Sequence, residues 1–365
     1  MGAASTEIDP DALKMYSLLL FTKLDGAVTA GMIHLGDQLG LYTAMRTAGG
    51  PVTIAELATA TSLNARWVQE WAHNQAAGKL IVADTPEGGE ERFSLTPEAT
   101  AVLADPDSPA FGMGMFHRFP QTMHAVEEVR ESFRTGVGHD YDSHGPQGAV
   151  GIERSFEPWN RAFLLPVVLP ALEGIVDRLT AGIQVVDIGC GAGGALIMMA
   201  RAFPNSTFRG YDISQFALAR AAEKKAEAGV TNVTFHDPRV DPLPADRSID
   251  LVTTFDCIHD MTHPQEMMVS IRDAITDDGT WLLVDIKALD TFAENVRKNP
   301  MASLMYGISV LSCMSSALSE PGGAGLGTLG FSENVARSMS SVAGFTRFRR
   351  LKVDHSVNAF YEVRP

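Results

Sequence analysis

Cysteine is scarce in this chain. Cys190, Cys257 and Cys313 are its only three among 365 residues, and they lie far apart without the spacing of a zinc site. An odd, low count excludes a disulfide framework, so we expect a reducing, cytoplasmic location and no metal. Basic residues are also few, 29 against 44 acidic ones, for a net charge of −15. Because phosphate contacts require a basic surface, this charge argues against a nucleic-acid partner.

The chain also shows no signal-peptide pattern, and we expect no apolar run long enough to span a bilayer and therefore no membrane association. Its 45% hydrophobic and 20% charged content is ordinary for a globular protein. A length of 365 residues predicts about two domains.

The most informative stretch is an apolar run, 183–188, that breaks into glycines before the helix-forming segment 195–200. This pattern predicts a strand, a tight turn and a helix. Glycine permits positive φ and lets a ligand approach the backbone closely. The turn lies at the carboxyl end of a strand, where open α/β sheets bind ligands.

Two ligand classes fit this turn. Gly189, Gly191 and Gly194 match the dinucleotide pattern G-x-G-x-x-G, whereas Asp187 with Gly189, Gly191 and Gly193 matches the S-adenosylmethionine pattern D-x-G-x-G-x-G. A carboxylate two residues before the first glycine repels a pyrophosphate but suits a ligand with an ammonium and a sulfonium. We therefore favour S-adenosylmethionine, with a nicotinamide-dependent oxidoreductase as one alternative.

Acids also follow the next two predicted strands. Asp212 lies 25 residues after Asp187 (212 − 187), close to the interval at which an acid meets a ribose. It could equally serve as a helix N-terminal acid. Asp237 ends the third strand, where it could accept from an adenine amino group, but Asp237-Pro238 also favours a simple turn.

The first third of the chain carries helix and hairpin signals. They are, in order, an apolar helical stretch over 13–41, a capping box over 53–56, a helix over 64–78, a hairpin around 85–89 and a helix cap at 96–98. This order is typical of a winged helix-turn-helix. Its second helix presents Trp67 and Trp71 beside Arg66 and Glu70. Because that face is aromatic rather than basic, we favour dimerisation and substrate capping over DNA binding.

Strand and helix signals alternate in the rest of the chain, which predicts a mostly parallel, doubly wound sheet. The predicted strands after the glycine turn are 207–212, 232–236, 248–255 and 280–285, with a closing pair over 345–353 and 357–363. We predict a winged-helix dimerisation domain over 1–105, a connector over 106–170 and a ligand-binding domain over 171–365. The connector holds His139–His144, which could suggest a metal site; we interpret it as solvated or as part of a lid.

The chain resembles class I S-adenosylmethionine-dependent methyltransferases, and more narrowly bacterial small-molecule enzymes with an N-terminal winged-helix dimerisation domain. The resemblance rests on 186–194, 210–212, 255–261, 278–284 and 343–346. It implies an α/β, Rossmann-like domain preceded by an α-rich winged-helix domain, and a homodimer.

In such enzymes the glycine turn holds the methionine part of the cofactor and the acids after the second and third strands meet the ribose and adenine. We carry these roles to Gly189, Gly191, Asp212 and Asp237. His236-Asp237-Pro238-Arg239 departs from the more usual Gly-Asp. Further cofactor-binding candidates are Asp187, Gly193, Ile213, Phe255 and Asp256.

The pair His259-Asp260 is similar to the His-Asp step of winged-helix O-methyltransferases that act on small phenolics, where the histidine is the general base. A side chain with a pKa near neutrality suits that work, and the following acid could orient the ring. Alternatively, His259 and His263 are ordinary loop residues or weak metal ligands.

An insertion over 290–330 is expected to cap the substrate pocket. Our pocket candidates are aromatic or sulfur-containing: Met123, Trp159, Phe163, Met305, Tyr306 and Met314. Such a lining favours a flat, apolar molecule. The sequence thus predicts methylation of a small aromatic or polyketide-like acceptor, most simply at oxygen. N-, S- or C-methylation is an alternative, as is a ligand-sensing transcriptional regulator without turnover.

Overall fold

A computed structural model describes residues 8–87 and 89–365. The chain divides into two compact units, the first up to Pro120 and the second from Gln121. The domain boundaries that we predict at residues 105 and 170 differ from this division and remain predictions.

The first unit contains the predicted series of helices and a short hairpin. Its elements are α1 Pro10–Gln38, α2 Leu41–Ala48, α3 Ile54–Thr61, α4 Ala65–Ala77, β1 Val82–Asp84, β2 Arg92–Ser94, α5 Pro97–Ala99, a π turn Thr100–Ala104 and α6 Met113–His117. The strands pair antiparallel, with Ala83 opposite Phe93. The hairpin connection includes residue 88, which lies outside the described residues.

The capping signals of this unit form as predicted. Thr53 Oγ1 accepts from the Glu56 amide at 3.2 Å, and the Glu56 carboxylate accepts from the Thr53 amide at 2.8 Å. On α4, Trp71 is buried and its Nε1 donates to the Met32 carbonyl at 2.9 Å, whereas Trp67 is 80% exposed. Of the two tryptophans that make this face of α4 aromatic, only Trp71 therefore packs into the core.

The expectation that no apolar run reaches membrane-spanning length is wrong for α1. This helix has 29 residues, and it is long and apolar enough to cross a bilayer by length and composition. The reason is that only Lys23 and Asp25 carry charge over 15–32. One such helix is weak evidence for a membrane span, because core helices and signal sequences satisfy the same criterion.

The second unit is a doubly wound sheet with helices on both faces. Its helices are α7 Phe119–Thr135, α8 Gly145–Phe163, α9 Leu169–Ala171, α10 Ile175–Ala181, α11 Gly194–Ala202, α12 Gln215–Ala228, α13 Pro264–Ala274, α14 Phe292–Lys298, α15 Ala302–Leu311, α16 Cys313–Ala317 and α17 Glu333–Val342. Its strands are β3 Gln184–Ile188, β4 Thr207–Tyr211, β5 Val233–His236, β6 Ile249–Phe255, β7 Ile275–Ile286, β8 Arg347–Arg350 and β9 Asn358–Arg364. Short 3-10 turns occur at Tyr141–His144 and Ile258–Asp260, and a π turn at Leu164–Val168.

The strand order is β5-β4-β3-β6-β7-β9-β8, parallel from β5 to β7 and antiparallel at β9 and β8. This confirms the predicted Rossmann-like fold. Ile188 pairs with Tyr211 on one side and with Thr254 on the other. The carboxyl ends of the three central strands therefore meet at one edge, where the order reverses between β3 and β6.

The sheet is held by apolar residues on both faces. One layer contains Leu196 and Phe208, and the other contains Ile271 and Trp281, all fully buried. The Trp281 Nε1 donates to Thr254 Oγ1 at 3.1 Å, so even this buried indole nitrogen is satisfied. Strands buried on both faces explain why the apolar runs of the sequence show no alternation.

We expect Thr53→Ala to loosen α3, because it removes the side chain that caps the Glu56 amide. An N-cap of this kind contributes about 1 kcal/mol, so hydrogen exchange across α3 should become about fivefold faster. The measurement is peptide-resolved hydrogen exchange on the native protein. The matched control is Thr47→Ala in α2, whose hydroxyl bonds only to its own helix. Equal exchange in the two variants would contradict the capping role.

Candidate active site

The glycine turn between β3 and α11 adopts a backbone that requires glycine. The φ angles of Gly189, Gly191 and Gly193 are +68°, +54° and +72°. The amides of Gly189 and Cys190 both donate to the Tyr211 carbonyl, at 2.8 and 3.0 Å. These bonds attach the turn to β4, so its conformation is fixed by the sheet.

Two of these glycines differ in what surrounds them. A Cβ on Gly193 would lie 2.4 Å from the Phe235 ring, so this position is closed by packing. A Cβ on Gly191 would meet no atom of the described residues within 4 Å. The backbone at Gly191 is therefore open to a ligand.

Asp187 lies beneath the turn and is 2% exposed. It accepts from Thr253 Oγ1 at 2.6 Å. Burial raises the pKa of Asp187 to about 7, and the neighbouring Asp212 adds to this rise. A cation bound near Asp187 would favour its charged form, as sequence analysis expected for an ammonium or sulfonium.

Asp212 connects the glycine turn to the start of α12. Its two oxygens accept from the amides of Gly191 and Ser214, each at 2.8 Å. The residue is 8% exposed, and burial raises its pKa although these hydrogen bonds oppose the rise. Each carboxylate oxygen retains a second lone pair that can accept from a hydroxyl. Beside it, Ile213 is 46% exposed.

Asp237 is occupied by protein donors. Its oxygens accept from the Arg239 guanidinium at 2.9 Å and from Gln215 Nε2 at 2.9 Å. The Arg239 side chain lowers the pKa of Asp237. The backbone amide of Arg239 also donates to Asp237, which forms the turn that sequence analysis kept as the alternative. The adenine role of Asp237 remains a prediction.

Phe255 ends β6, and Asp256 follows it directly. Asp256 has a φ of +50°, and its carboxylate accepts from the Asn358 side chain. Burial raises the pKa of Asp256, and the charge of Asp285 adds to the rise. A strained backbone and a buried acid at the ligand-binding edge are features that recur at functional sites.

His259 is held in the 3-10 turn that follows. It is 2% exposed, and its Nδ1–H donates to Asp285 Oδ1 at 2.6 Å. The expected orienting acid was Asp260, and this expectation is wrong: the contact is made by Asp285 at the end of β7. The Nδ1 atom of the ring faces the end of β7, so it bonds to Asp285 on that strand and not to the adjacent residue. Burial raises the pKa of Asp260 to about 7.

The other ring nitrogen of His259, Nε2, is buried and has no hydrogen-bond partner among the described residues. Burial lowers the pKa of His259, but the Asp285 carboxylate and the Cys313 side chain beside the ring more than offset this. The net result is a pKa well above 6.5.

The predicted insertion lies over this turn. The helix α16 packs against Ile258–Asp260 and brings the Cys313 side chain beside the His259 ring. The amide of Ala324 donates to the Thr262 carbonyl at 2.9 Å, which fastens the insertion to the same loop. We term the insertion over 290–330 the cap; that it closes over a substrate remains a prediction.

The remaining pocket candidates lie in different surroundings. The Trp159 ring packs against Phe163 at 5.1 Å and Phe360 at 5.5 Å between centroids. Tyr306 on α15 packs against Phe292 at 5.8 Å, its neighbour Met305 is half-buried, and Met123 on α7 is 38% exposed. Their place in a common pocket remains a prediction. A cavity of about 370 Å³ beside α17 has none of them in its lining.

The segment His139–His144 is solvated only in part, since Asp140 and Ser143 are exposed and His144 is buried; its role as part of a lid remains a prediction. His144 is 7% exposed, and its Nε2 lies 2.9 Å from Ser312 Oγ. Asp285 is a site residue that the sequence analysis did not name. The signal that could have identified it is an acid at the carboxyl end of a predicted strand.

Within 8–87 and 89–365, no group of three or more His, Cys, Asp or Glu could hold a metal ion.

Two family models match the chain. A methyltransferase domain matches residues 179–321, and an Rv2258c-like winged helix-turn-helix domain matches residues 27–105. A curated relative, malonyl-[acyl-carrier protein] O-methyltransferase of Bacillus cereus, is 26% identical over 115 residues. That match covers 32% of this chain and 41% of the relative's length.

Solved structures share the whole fold at low identity. Human N-acetylserotonin methyltransferase, solved with S-adenosylmethionine, is 18% identical with a TM-score of 0.66, covering 100% of this chain and 99% of that one. A putative O-methyltransferase from Nostoc punctiforme is 15% identical with a TM-score of 0.71, at 98% and 99% coverage. Mitomycin 7-O-methyltransferase is 18% identical with a TM-score of 0.67, also at 98% and 99%. The chain therefore combines an N-terminal Rv2258c-like winged helix-turn-helix domain with a methyltransferase domain, in the class I fold of S-adenosylmethionine-dependent methyltransferases.

Proposed function

We propose that this enzyme methylates an oxygen of a small aromatic or polyketide-like molecule, with His259 as the general base. The observation that carries the proposal is the buried His259–Asp285 pair. Nδ1 is held by the carboxylate at 2.6 Å, which leaves Nε2 without a partner among the described residues. A ring fixed in this way presents one basic nitrogen in one direction.

The chemistry explains why a base is useful here. A neutral hydroxyl is a poor nucleophile, and removing its proton during attack strengthens it. Asp285 keeps the proton on Nδ1 and stabilises the imidazolium that forms when Nε2 accepts the hydroxyl proton. Burial under α16 excludes water, and the remaining contribution is positioning of the two reactants.

The residues of the glycine turn and of β4 fit the cofactor, which supplies an electrophilic methyl group on a sulfonium. We assign the methionine part to Asp187, Gly189, Gly191 and Gly193, because the backbone at Gly191 is open. Asp212 accepts from the ribose hydroxyls. Further contacts to the adenosine are assigned to Ile213, Asp237, Phe255 and Asp256.

The acceptor is inferred from the cap. The insertion contributes Met305, Tyr306 and Met314, and the helical segment before the sheet contributes Met123, Trp159 and Phe163. These side chains offer an aromatic and sulfur-rich surface, which favours a flat apolar ligand. The names of the structural neighbours, N-acetylserotonin methyltransferase and mitomycin 7-O-methyltransferase, also specify small ring-containing molecules.

We further propose a cytoplasmic homodimer that buries α1 against a second copy of the chain. Its exposed apolar residues are Leu13, Met15, Tyr16, Leu18, Leu19, Leu20, Phe21, Leu24 and Val28, each at least 50% exposed. A patch of this extent is unusual on a monomer. A two-fold contact would bury the same face of both copies.

Light scattering at micromolar concentration should therefore give twice the chain mass of 39.3 kDa. Placing two charges on the α1 face, Leu20→Glu with Leu24→Glu, should shift the mass to that of one chain because the charges would be buried in the dimer. The control is Val240→Glu, a change at an 83% exposed residue of the second unit. A monomeric wild-type chain would contradict the proposal, as would an α1 that binds lipid vesicles and not a second copy.

The ribose assignment predicts that Asp212→Ala weakens binding of S-adenosylmethionine by about 1.5–3 kcal/mol, the contribution of hydrogen bonds to a charged group. Isothermal calorimetry measures this directly. The control Asp278→Asn removes a charge from an exposed position of the same unit and should leave the affinity unchanged. Unchanged affinity in Asp212→Ala would remove Asp212 from the site.

The base assignment predicts that His259→Ala and His259→Gln lower turnover by about 10²–10⁴-fold while cofactor affinity stays nearly the same. The rate should rise with pH, since the base must lose its proton. Because the pKa of His259 is raised, the midpoint of this rise in rate should lie above pH 6.5. The rise should be absent in both variants. The control is His263→Gln, which alters an exposed histidine four residues along the same loop.

The acceptor's own acidity distinguishes the alternatives. The loss should be largest for hydroxyls of high pKa and small for acidic phenols, which ionise without help. Wild-type turnover by His259→Ala on a weakly acidic alcohol would reject the base and favour N- or S-methylation by positioning alone. No methyl transfer to any phenol, thiol or amine, together with a gel shift of DNA, would instead favour the regulator.

A further inference from the structure

The segment 136–145, which we term the strap, crosses the second unit between the cap and the cofactor site. Glycines with positive φ bound it, Gly136 at +74° and Gly145 at +62°. Its first half is fastened to the cap. The amide of Gly138 donates to the Leu318 carbonyl at 2.8 Å, and the amide of His139 donates to Ser315 Oγ at 2.9 Å.

The second half of the strap reaches α12. Asp142 Oδ2 accepts from the backbone amide of Gln215, the first residue of that helix, at 3.2 Å. Gln215 lies three residues after Asp212, whose carboxylate also accepts from this turn, at the Ser214 amide. The strap thus carries a second carboxylate to the place where the ribose-binding acid lies.

One carboxylate oxygen of Asp142 accepts no hydrogen bond from the described residues. Asp142 Oδ1 is buried and has no hydrogen-bond partner among the described residues. A carboxylate that only capped α12 would need one oxygen at the helix and could leave the other in water. A buried acceptor without a donor is costly, and natural proteins rarely leave one unless a ligand completes it.

The surroundings limit which ligand group could complete it. Asp142 is close enough to Asp212 for its charge to add to the pKa rise that burial causes in Asp212. Two adjacent carboxylates repel each other, so a ligand that binds both must bring hydrogen-bond donors. A ribose brings two neighbouring hydroxyls, each of which can donate. The guanidinium of Arg239 balances part of the negative charge; its hydrogen bonds to Asp237 raise its pKa, and the charge of Asp142 adds to that rise.

We propose that Asp142 is a cofactor-binding residue, which accepts from one ribose hydroxyl of S-adenosylmethionine while Asp212 accepts from the other. The inference rests on the ribose assignment of Asp212 made above. The strap is then the element that closes the adenosine end of the site, and its bonds to Leu318 and Ser315 attach that closure to the cap.

The test is calorimetry of S-adenosylmethionine and S-adenosylhomocysteine with Asp142→Asn. Asparagine keeps an oxygen for the Gln215 amide but places an amino group where the hydroxyl would donate. We expect about tenfold weaker binding of both ligands. The matched control, Asp140→Asn, makes the same charge change on the same strap at an exposed residue that caps Ser143, and it should change affinity less than twofold.

Deoxy analogues of S-adenosylhomocysteine identify the contact. Wild-type protein should bind the 2′-deoxy or the 3′-deoxy analogue about tenfold more weakly, and Asp142→Asn should show no further loss with that same analogue. Non-additivity of this kind reports a direct contact. Asp142→Ser, a smaller residue that can also cap α12, should give the same result if the asparagine variant is unstable.

Two outcomes would overturn the proposal. One is wild-type affinity for S-adenosylhomocysteine in Asp142→Asn. The other is a loss confined to S-adenosylmethionine, because that would show a charge effect on the sulfonium and no ribose contact. Failure of the underlying ribose assignment would give a different result. Asp212→Ala would then bind S-adenosylhomocysteine with normal affinity, and the wild-type protein would bind both deoxy analogues as tightly as S-adenosylhomocysteine itself.

Discussion

Burial of carboxylates at one edge of the sheet is the constraint on which the rest of the site depends. Asp187, Asp212, Asp256 and Asp260 end strands or lie in the turns after them, and burial raises the pKa of each. Removing so many acids from water is unfavourable unless cations or donors compensate. The edge is therefore preorganised for a positively charged ligand with hydroxyls, and unsuited to a pyrophosphate.

The parts of the fold that sequence analysis predicted are those that short segments determine. The Thr53 capping box and the α4 boundaries both form as expected. The glycine turn also follows from local demands, because three positive φ angles within five residues admit little else than glycine. Apolar runs flanked by such turns were sufficient to locate the parallel strands along the chain.

Contacts between distant segments could not be predicted in this way. Asp285 holds a histidine that is 26 positions away, and Ser312 meets a histidine 168 positions away. No periodicity encodes such pairs; they arise only when β7 lies beside β6 and the insertion folds back over the edge. The misjudged length of the apolar stretch in α1 has another origin. Two charges, Lys23 and Asp25, lie in the middle of that stretch, and the apolar residues on both sides of them keep the helix apolar as a whole.

The position of β9 has a consequence for the order in which the site can be completed. This strand lies between β7 and β8, both of which precede it in the chain. During synthesis the sheet therefore has a vacant slot until 358–364 emerge, and Asp256 lacks its Asn358 partner for the same period. Any chain interrupted before this strand would keep its glycine turn and its histidine, yet leave β7 as an open edge with exposed hydrogen-bonding groups, prone to pair with another molecule.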